Sequence, residues 1–176
     1  MQRVIVDMDE VIADATLGMQ NWYRDKFGGE IDFSKMLEGH SLVKGFPEEH
    51  QAIVRQQLFE PGFFRNLPVM DDSQNVLEQM NKRYEIYIVS SAIEFPNSLK
   101  DKYDWLMENF PFFSWRQLVL CGDKKLVFGD FMIDDHARHL QYFNGKPYLF
   151  TAYHNLDEKN YDRIKSWKEA GEIFLA

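Results

Sequence analysis

Arg3-Val4-Ile5-Val6-Asp7-Met8-Asp9-Glu10-Val11-Ile12-Ala13-Asp14 is the stretch that decides how this chain reads. It begins with a β-branched run, Val4 to Val6, whose composition and length suit a buried strand. Two carboxylates follow at once. With Val6 as the last buried residue, Asp7 stands at the strand's carboxyl end, the edge at which open α/β sheets bind ligands. Asp7 and Asp9 are two positions apart and point to the same side of an extended backbone. Like charges held that close repel unless a cation or a proton lies between them. Alone, the pair fits an acidic helix-capping turn. It also fits a hard metal site whose first Asp can act as a nucleophile.

The whole chain narrows these options. It has 176 residues, 45% hydrophobic and 15% aromatic, enough for one domain with its own core and an inserted subdomain. The formal net charge of −8 argues against a nucleic-acid polymer as partner, which needs a basic face, but allows a small anionic ligand in a locally positive pocket. The single cysteine, Cys121, permits no disulfide within the chain, and the N-terminus shows no signal-peptide pattern; both point to a reducing cytoplasm. No apolar run approaches ~18 residues, so no membrane span is expected.

Outward from the opening strand, residues 15–27 read as a helix with Leu17, Trp22, Tyr23 and Phe27 on its apolar face, ended by Gly28-Gly29. Pro47-Glu48-Glu49 starts a second helix, with Ile53, Leu58 and Phe59 marking its apolar side. Glu60-Pro61-Gly62 breaks it. A loop between strand and helix is usually only ~2–6 residues, so residues 15–67 are read as a helical cap inserted into a core made of 1–14 and 68–176. From Asp71 onward helix and strand alternate. A helix from Asp72-Ser73 to Asn81 precedes a strand at 84–89. A helix at 99–110 precedes a short strand at 117–121, and further strands follow at 131–133 and 148–150. Helices are expected at 136–143 and 161–170. The fold class is therefore α/β, with a five-stranded parallel sheet of Rossmann-like type and helices on both faces.

Polar residues follow four of these strands: Asp7 and Asp9, Ser90 with Ser91, Lys124 in Gly122-Asp123-Lys124-Lys125, and Asp134-Asp135. Parallel strands bring these distant groups to one edge. The acids offer only oxygen donors, which suits Mg²⁺. A lysine and a serine hydroxyl can neutralise and hydrogen-bond phosphoryl oxygens, and a metal offsets repulsion between a phosphate and an attacking carboxylate. One Asp can attack phosphorus while a second protonates the leaving oxygen and later takes a proton from water. Taken singly, Ser90, Lys124 and His136 read as ordinary strand-end, turn and capping residues, Lys102 as helix surface, and Trp105 as packing. The five histidines show no zinc-like spacing.

In this order and context, Asp7-Met8-Asp9, Ser90, Lys124 and Asp134-Asp135 resemble the four motifs of the haloacid dehalogenase superfamily of phosphatases. Asp7-Met8-Asp9-Glu10-Val11-Ile12-Ala13-Asp14, Pro61-Gly62-Phe63-Phe64, Lys102-Tyr103-Asp104-Trp105 and Ile133-Asp134-Asp135 further resemble the bacterial 5′(3′)-deoxyribonucleotidases. The resemblance implies Asp7 as nucleophile, Asp9 as general acid and base, and Ser90 with Lys124 on the phosphate, with Ser91 able to share the role of Ser90. It implies Mg²⁺ held by Asp7, the Asp9 carbonyl and Asp135, with Asp134 in support. The implied substrate is a nucleoside monophosphate, its base held by cap aromatics. Two positions depart from the animal members: Glu10 replaces a glycine, and Ala15 replaces an aromatic that lies against the base. No counterpart of their cap aromatic pair is evident between Gly39 and Phe46. Two alternatives stand beside this reading: the same chemistry on another small phosphate ester such as a sugar phosphate, and a phosphate-ligand-binding module without turnover.

Overall fold

The computed structural model describes residues 1–33 and 42–176. Strand β1 (Arg3–Val6) lies in the middle of a sheet whose order is β3-β2-β1-β4-β5-β6, formed by β2 (Glu85–Ser90), β3 (Leu118–Leu120), β4 (Phe131–Asp134), β5 (Lys146–Phe150) and β6 (Asp162–Ile164). Every pairing is parallel. β1 is buried on both faces: Val4 and Val6 join the larger hydrophobic cluster, while Ile5 joins a smaller one with Val89, Met132, Leu140 and Leu149. That is why its sequence is a continuous apolar run rather than an alternating one.

The chain grows outward from β1 through β2 to β3, then returns to the other side of β1 with β4. The reversal of direction therefore lies between β1 and β4. Crevices beyond the carboxyl ends of strands at such a reversal are where α/β sheets accept ligands.

Among the described residues, three α-helices lie between β1 and β2: α1 (Ala15–Phe27), α2 (Glu48–Gln57) and α3 (Ser73–Met80). The Asp14 side chain caps α1 by accepting from the Leu17 amide at 2.7 Å. The chain leaves the sheet and comes back along two adjacent segments. Ala13 bridges Val69 in antiparallel fashion, the Asp14 amide donates to the Pro68 carbonyl at 2.8 Å, and the Met70 amide donates to the Ile12 carbonyl at 2.9 Å. A side chain at Gly18 would collide with Leu67, so glycine there lets α1 lie directly against the returning segment. On α2 the buried residue is Val54, whereas Ile53 and Phe59 are exposed, so the apolar side expected for this helix is displaced.

After β2 come α4 (Ser98–Asn109), β3, β4 and the one-turn helix α5 (Ala137–Leu140). The C-terminal region differs from expectation. Residues 161–164, expected to open a helix, instead supply a sixth strand that pairs Tyr148 with Asp162 and Phe150 with Ile164. The Arg163 guanidinium holds that strand by donating to the Asn155 and Glu158 carbonyls at 2.8 and 2.6 Å. Three residues are too few to display a period-2 pattern. Helix α6 (Trp167–Phe174) starts later than expected because Ser166 caps it. Among the described residues no helix is long and apolar enough to cross a membrane.

Trp167 is buried, and its indole N–H donates to the Val11 carbonyl at 2.6 Å, tying α6 to the loop that carries Asp7 and Asp9. Trp167→Phe keeps most of the packing but leaves that buried carbonyl without its donor. The expected cost is about 1–3 kcal/mol, measured by urea unfolding; an unchanged midpoint would refute the tie.

Candidate active site

The loop after β1 folds back sharply. The Met8 carbonyl accepts from the amides of Ile12 and Ala13, both at 2.9 Å, and Glu10 takes a left-handed conformation, φ 59°. This turn aims the Asp7, Asp9 and Glu10 side chains into one cavity of about 280 Å³ beyond the sheet edge. Ser90, Ser91, Lys124 and Asp135 line the same cavity. Asp134 stands just behind them, fully buried, in contact with Lys124. The fold thus brings together all seven residues singled out by motif.

Their hydrogen bonds divide the acids into two kinds. The Lys124 ammonium lies between Asp7 Oδ1 and Asp134 Oδ2, at 2.6 Å from each. Asp7 Oδ1 also accepts from the Met8 amide at 2.6 Å, so among the described residues Oδ2 is the oxygen left without a partner. Asp134 is fully engaged: besides Lys124 it accepts from the His136 amide at 2.9 Å and contacts His139 Nδ1 at 3.0 Å. Asp135 is different. His154 Nε2 approaches its Oδ2 at 3.2 Å, and Asn155 donates to its backbone carbonyl at 2.7 Å, but Oδ1 is buried and unpartnered.

Three buried side-chain oxygens lack a partner among the described residues: Asp9 Oδ1, Ser91 Oγ and Asp135 Oδ1. All three belong to residues of this one cavity. Buried polar atoms are normally satisfied, so the three together mark where a ligand completes the structure. The donor set fits a hard divalent cation: Asp7 and Asp135 offer free carboxylate oxygens, and the Asp9 carbonyl accepts no hydrogen bond among the described residues.

Electrostatics agree. Burial, and then the neighbouring Asp134, push the Asp7 carboxyl above its ordinary range against the pull of Lys124. Burial, Asp7 and Asp134 push Asp135 well above it. Burial also works to raise Asp134, but Lys124 and His139 outweigh it and hold that group ionised. Burial lowers Lys124, yet Asp134 and Asp7 more than compensate and keep its ammonium charged. A cation beside Asp7 and Asp135 would relieve the repulsion that raises both.

Several residues of the site were not evident from the sequence. Lys102 on α4 is 1% exposed, and its ammonium contacts Asp9 Oδ2 and, at 3.0 Å, Ser90 Oγ. In the sequence Lys102 stood within the stretch Lys102-Tyr103-Asp104-Trp105 without a role and read as helix surface. His136 and His154, distant in sequence, stack at 4.3 Å between ring centres beside Asp135. Burial and the adjacent His154 push His136 down to about 3, so it is a neutral ring. The other walls of the cavity include Ala15, Leu42, Val43, Leu58, Phe64 and Phe95. Phe46 is core, packed on Tyr23 and Phe33. The stretch from Gly39 to Phe46, where a cap aromatic pair was expected and not evident, lies partly outside the described residues.

Relatives place this geometry in context. A family model described as "5' nucleotidase, deoxy (Pyrimidine), cytosolic type C protein" matches residues 1–176. A Bacillus subtilis 5'(3')-deoxyribonucleotidase is 37% identical over 173 residues, covering 96% of each chain. A Staphylococcus epidermidis protein provisionally given the same name is 40% identical over 173 residues, covering 98% of this chain and 96% of that one. Among solved structures, a haloacid dehalogenase-like hydrolase from Streptococcus pneumoniae superposes with a TM-score of 0.60 at 12% identity, covering 98% of both chains. A haloacid dehalogenase family hydrolase from Deinococcus radiodurans, solved with bound phosphate and sodium, also gives 0.60 at 12% identity, covering 97% of this chain and 93% of that one.

Glu10 gives a test of the site's electrostatics. Burial, then Asp14, raise its carboxyl from 4.5 to about 7, while its Oε1 accepts from the Thr16 amide at 2.6 Å. A carboxyl raised on folding adds stability below its unfolded value, and that stability is lost as pH rises through the folded one. In metal-free protein, Glu10→Gln is therefore expected to gain on the wild type between pH 5 and 8, by about 1–3 kcal/mol. Urea midpoints in EDTA measure it; a difference that does not change with pH would contradict the assignment.

Proposed function

The chain belongs to the family of deoxy, cytosolic type C 5' nucleotidases, hydrolases of haloacid dehalogenase type, and from that premise we propose that it is a Mg²⁺-dependent 5'(3')-deoxyribonucleotidase. It would dephosphorylate deoxyribonucleoside monophosphates through an aspartyl-phosphate on Asp7. The observation that carries the proposal is the convergence of three orphaned polar atoms, Asp9 Oδ1, Ser91 Oγ and Asp135 Oδ1, on the cavity that Asp7 and Lys124 also line. An anion and a cation side by side, as in a metal-bound phosphate ester, satisfy all three.

In this reading Asp7 Oδ2 attacks phosphorus, while Lys124 holds Oδ1 and fixes the carboxylate's orientation. The Asp9 carboxyl gives a proton to the departing ester oxygen and later takes one from the water that cleaves the phosphoenzyme. Ser90, Ser91 and Lys124 bind the phosphoryl oxygens. Asp7, the Asp9 carbonyl and Asp135 hold the metal, and Asp134 supports them by anchoring Lys124 and the His136 amide. Bound there, Mg²⁺ would neutralise charge shared between the phosphate and the attacking carboxylate.

Residues 15–67 serve as a helical cap on the core of 1–14 and 68–176. The paired segments at 12–14 and 68–70 support that division. Leu42, Val43, Leu58 and Phe64 of the cap present apolar surface to the nucleoside end of the substrate. Ala15 lacks the ring that the animal members carry at this position, which favours a sugar phosphate or other small ester as the second reading. The acidic chain and its single cysteine suit a small-molecule enzyme of a reducing cytoplasm rather than a nucleic-acid binder.

Phosphate release from dUMP, dTMP, ribonucleotides and sugar phosphates with Mg²⁺, compared as kcat/KM, tests the assignment. Deoxyribonucleotides should lead; preference for sugar phosphates would favour the second reading, and binding without release would indicate a non-catalytic module. EDTA should abolish turnover. Asp7→Asn should retain the wild-type circular dichroism and lose about 10⁴-fold or more in kcat; retained hydrolysis would remove Asp7 as nucleophile.

A further inference from the structure

Lys102 was assigned no role in the motif reading, yet among the described residues it is one of the most buried charged side chains, 1% exposed, beside the acid cluster. Burying an ammonium is costly unless every donor finds a partner. Here the partners are Asp9 Oδ2, Ser90 Oγ at 3.0 Å and the ring face of Phe64, whose centre lies 4.4 Å away. Three N–H groups meet three acceptors, leaving none free for a phosphate oxygen.

This arrangement has two consequences. Asp9 is held through Oδ2, which fixes the orientation of a carboxyl that lines the cavity. Ser90 Oγ accepts from the ammonium, so its own O–H points away from Lys102, and Ser90 lines the cavity. We propose that Lys102 is a positioning residue that orients the Asp9 carboxyl for proton transfer and turns the Ser90 hydroxyl proton toward the phosphoryl group. The inference rests on the phosphomonoesterase reading above. In the first step the Asp7 Oδ2–phosphorus bond forms, the phosphorus–ester oxygen bond breaks, and a proton passes from the Asp9 carboxyl to the departing oxygen. In the second, water oxygen bonds to phosphorus, the Asp7 Oδ2–phosphorus bond breaks, and the water proton returns to the Asp9 carboxylate.

A leaving group that needs no proton separates this role from phosphate binding. Lys102→Met keeps the aliphatic stem against Phe64 and removes the charge. With dTMP and Mg²⁺, its kcat should fall by about 10²–10³-fold with KM little changed. With p-nitrophenyl phosphate, it should still release a stoichiometric burst of p-nitrophenolate, followed by slow turnover, because only the second step then needs the Asp9 carboxyl. Lys102→Ala, with circular dichroism confirming the fold, should be partly rescued by added methylammonium. Loss of the burst together with weakened binding of inorganic phosphate would overturn the proposal and make Lys102 a phosphate ligand. Equal losses on both substrates without amine rescue would overturn it in favour of a purely structural ion pair. If the wild-type enzyme releases no phosphate from either ester, it is the phosphomonoesterase reading that fails.

Discussion

The Lys124 ammonium, set between Asp7 and Asp134, is the interaction on which the site's architecture depends. Asp7, Asp9, Glu10, Asp134 and Asp135 crowd one sheet edge, and the buried lysines 102 and 124 are threaded among them. Buried ion pairs rarely add net stability, because desolvation consumes most of the Coulomb gain. Their value here is that each lysine claims one oxygen of an acid and leaves the other defined. Lys124 takes Oδ1 of Asp7, and Lys102 takes Oδ2 of Asp9. Burial, and then the remaining excess of negative charge, raises Asp7 and Asp135 and prepares the edge for a cation.

Such charge density is tolerable because of where it sits. β1 and β4 are central strands buried on both faces, and the reversal of strand order between them opens a crevice at their carboxyl ends. The rigid sheet sets Asp7 and Asp134 in register, and the loops carry the remaining groups. The Trp167–Val11 hydrogen bond, made from the far end of the chain, braces the same loop from behind. The antiparallel contact of residues 12–14 with 68–70 brings the intervening segment back over the edge it departed from, so its apolar residues face the acids across a single cavity.

Much of this was legible along the chain. A short β-branched run followed at once by acids marks a buried strand that ends in chemistry. Repetition of the pattern at Ser90, Lys124 and Asp134-Asp135 implies one edge, because parallel strands all point the same way. The sixth strand was not legible. Residues 162–164 pair through their backbones with β5 and depend on Arg163 reaching the Asn155 and Glu158 carbonyls; nothing in a three-residue pattern announces such a contact. The apolar side of α2 was misplaced for a related reason: what Val54 and Ile53 face is set by neighbouring segments rather than by the helix's own spacing.

The sequence by itself determined the α/β class, the edge at which chemistry gathers, and the residue types that gather there, because strand period and strand-end motifs are local properties of the chain. Only the tertiary structure decided which oxygen of each acid is free. It separated Asp135, with an unpartnered Oδ1, from Asp134, whose oxygens are engaged by Lys124, His139 and the His136 amide. It carried Lys102 from the middle of α4 to Asp9 and Ser90. These assignments rest on hydrogen-bond directions between groups far apart in sequence, and a direction in space exists only once the chain has closed on itself.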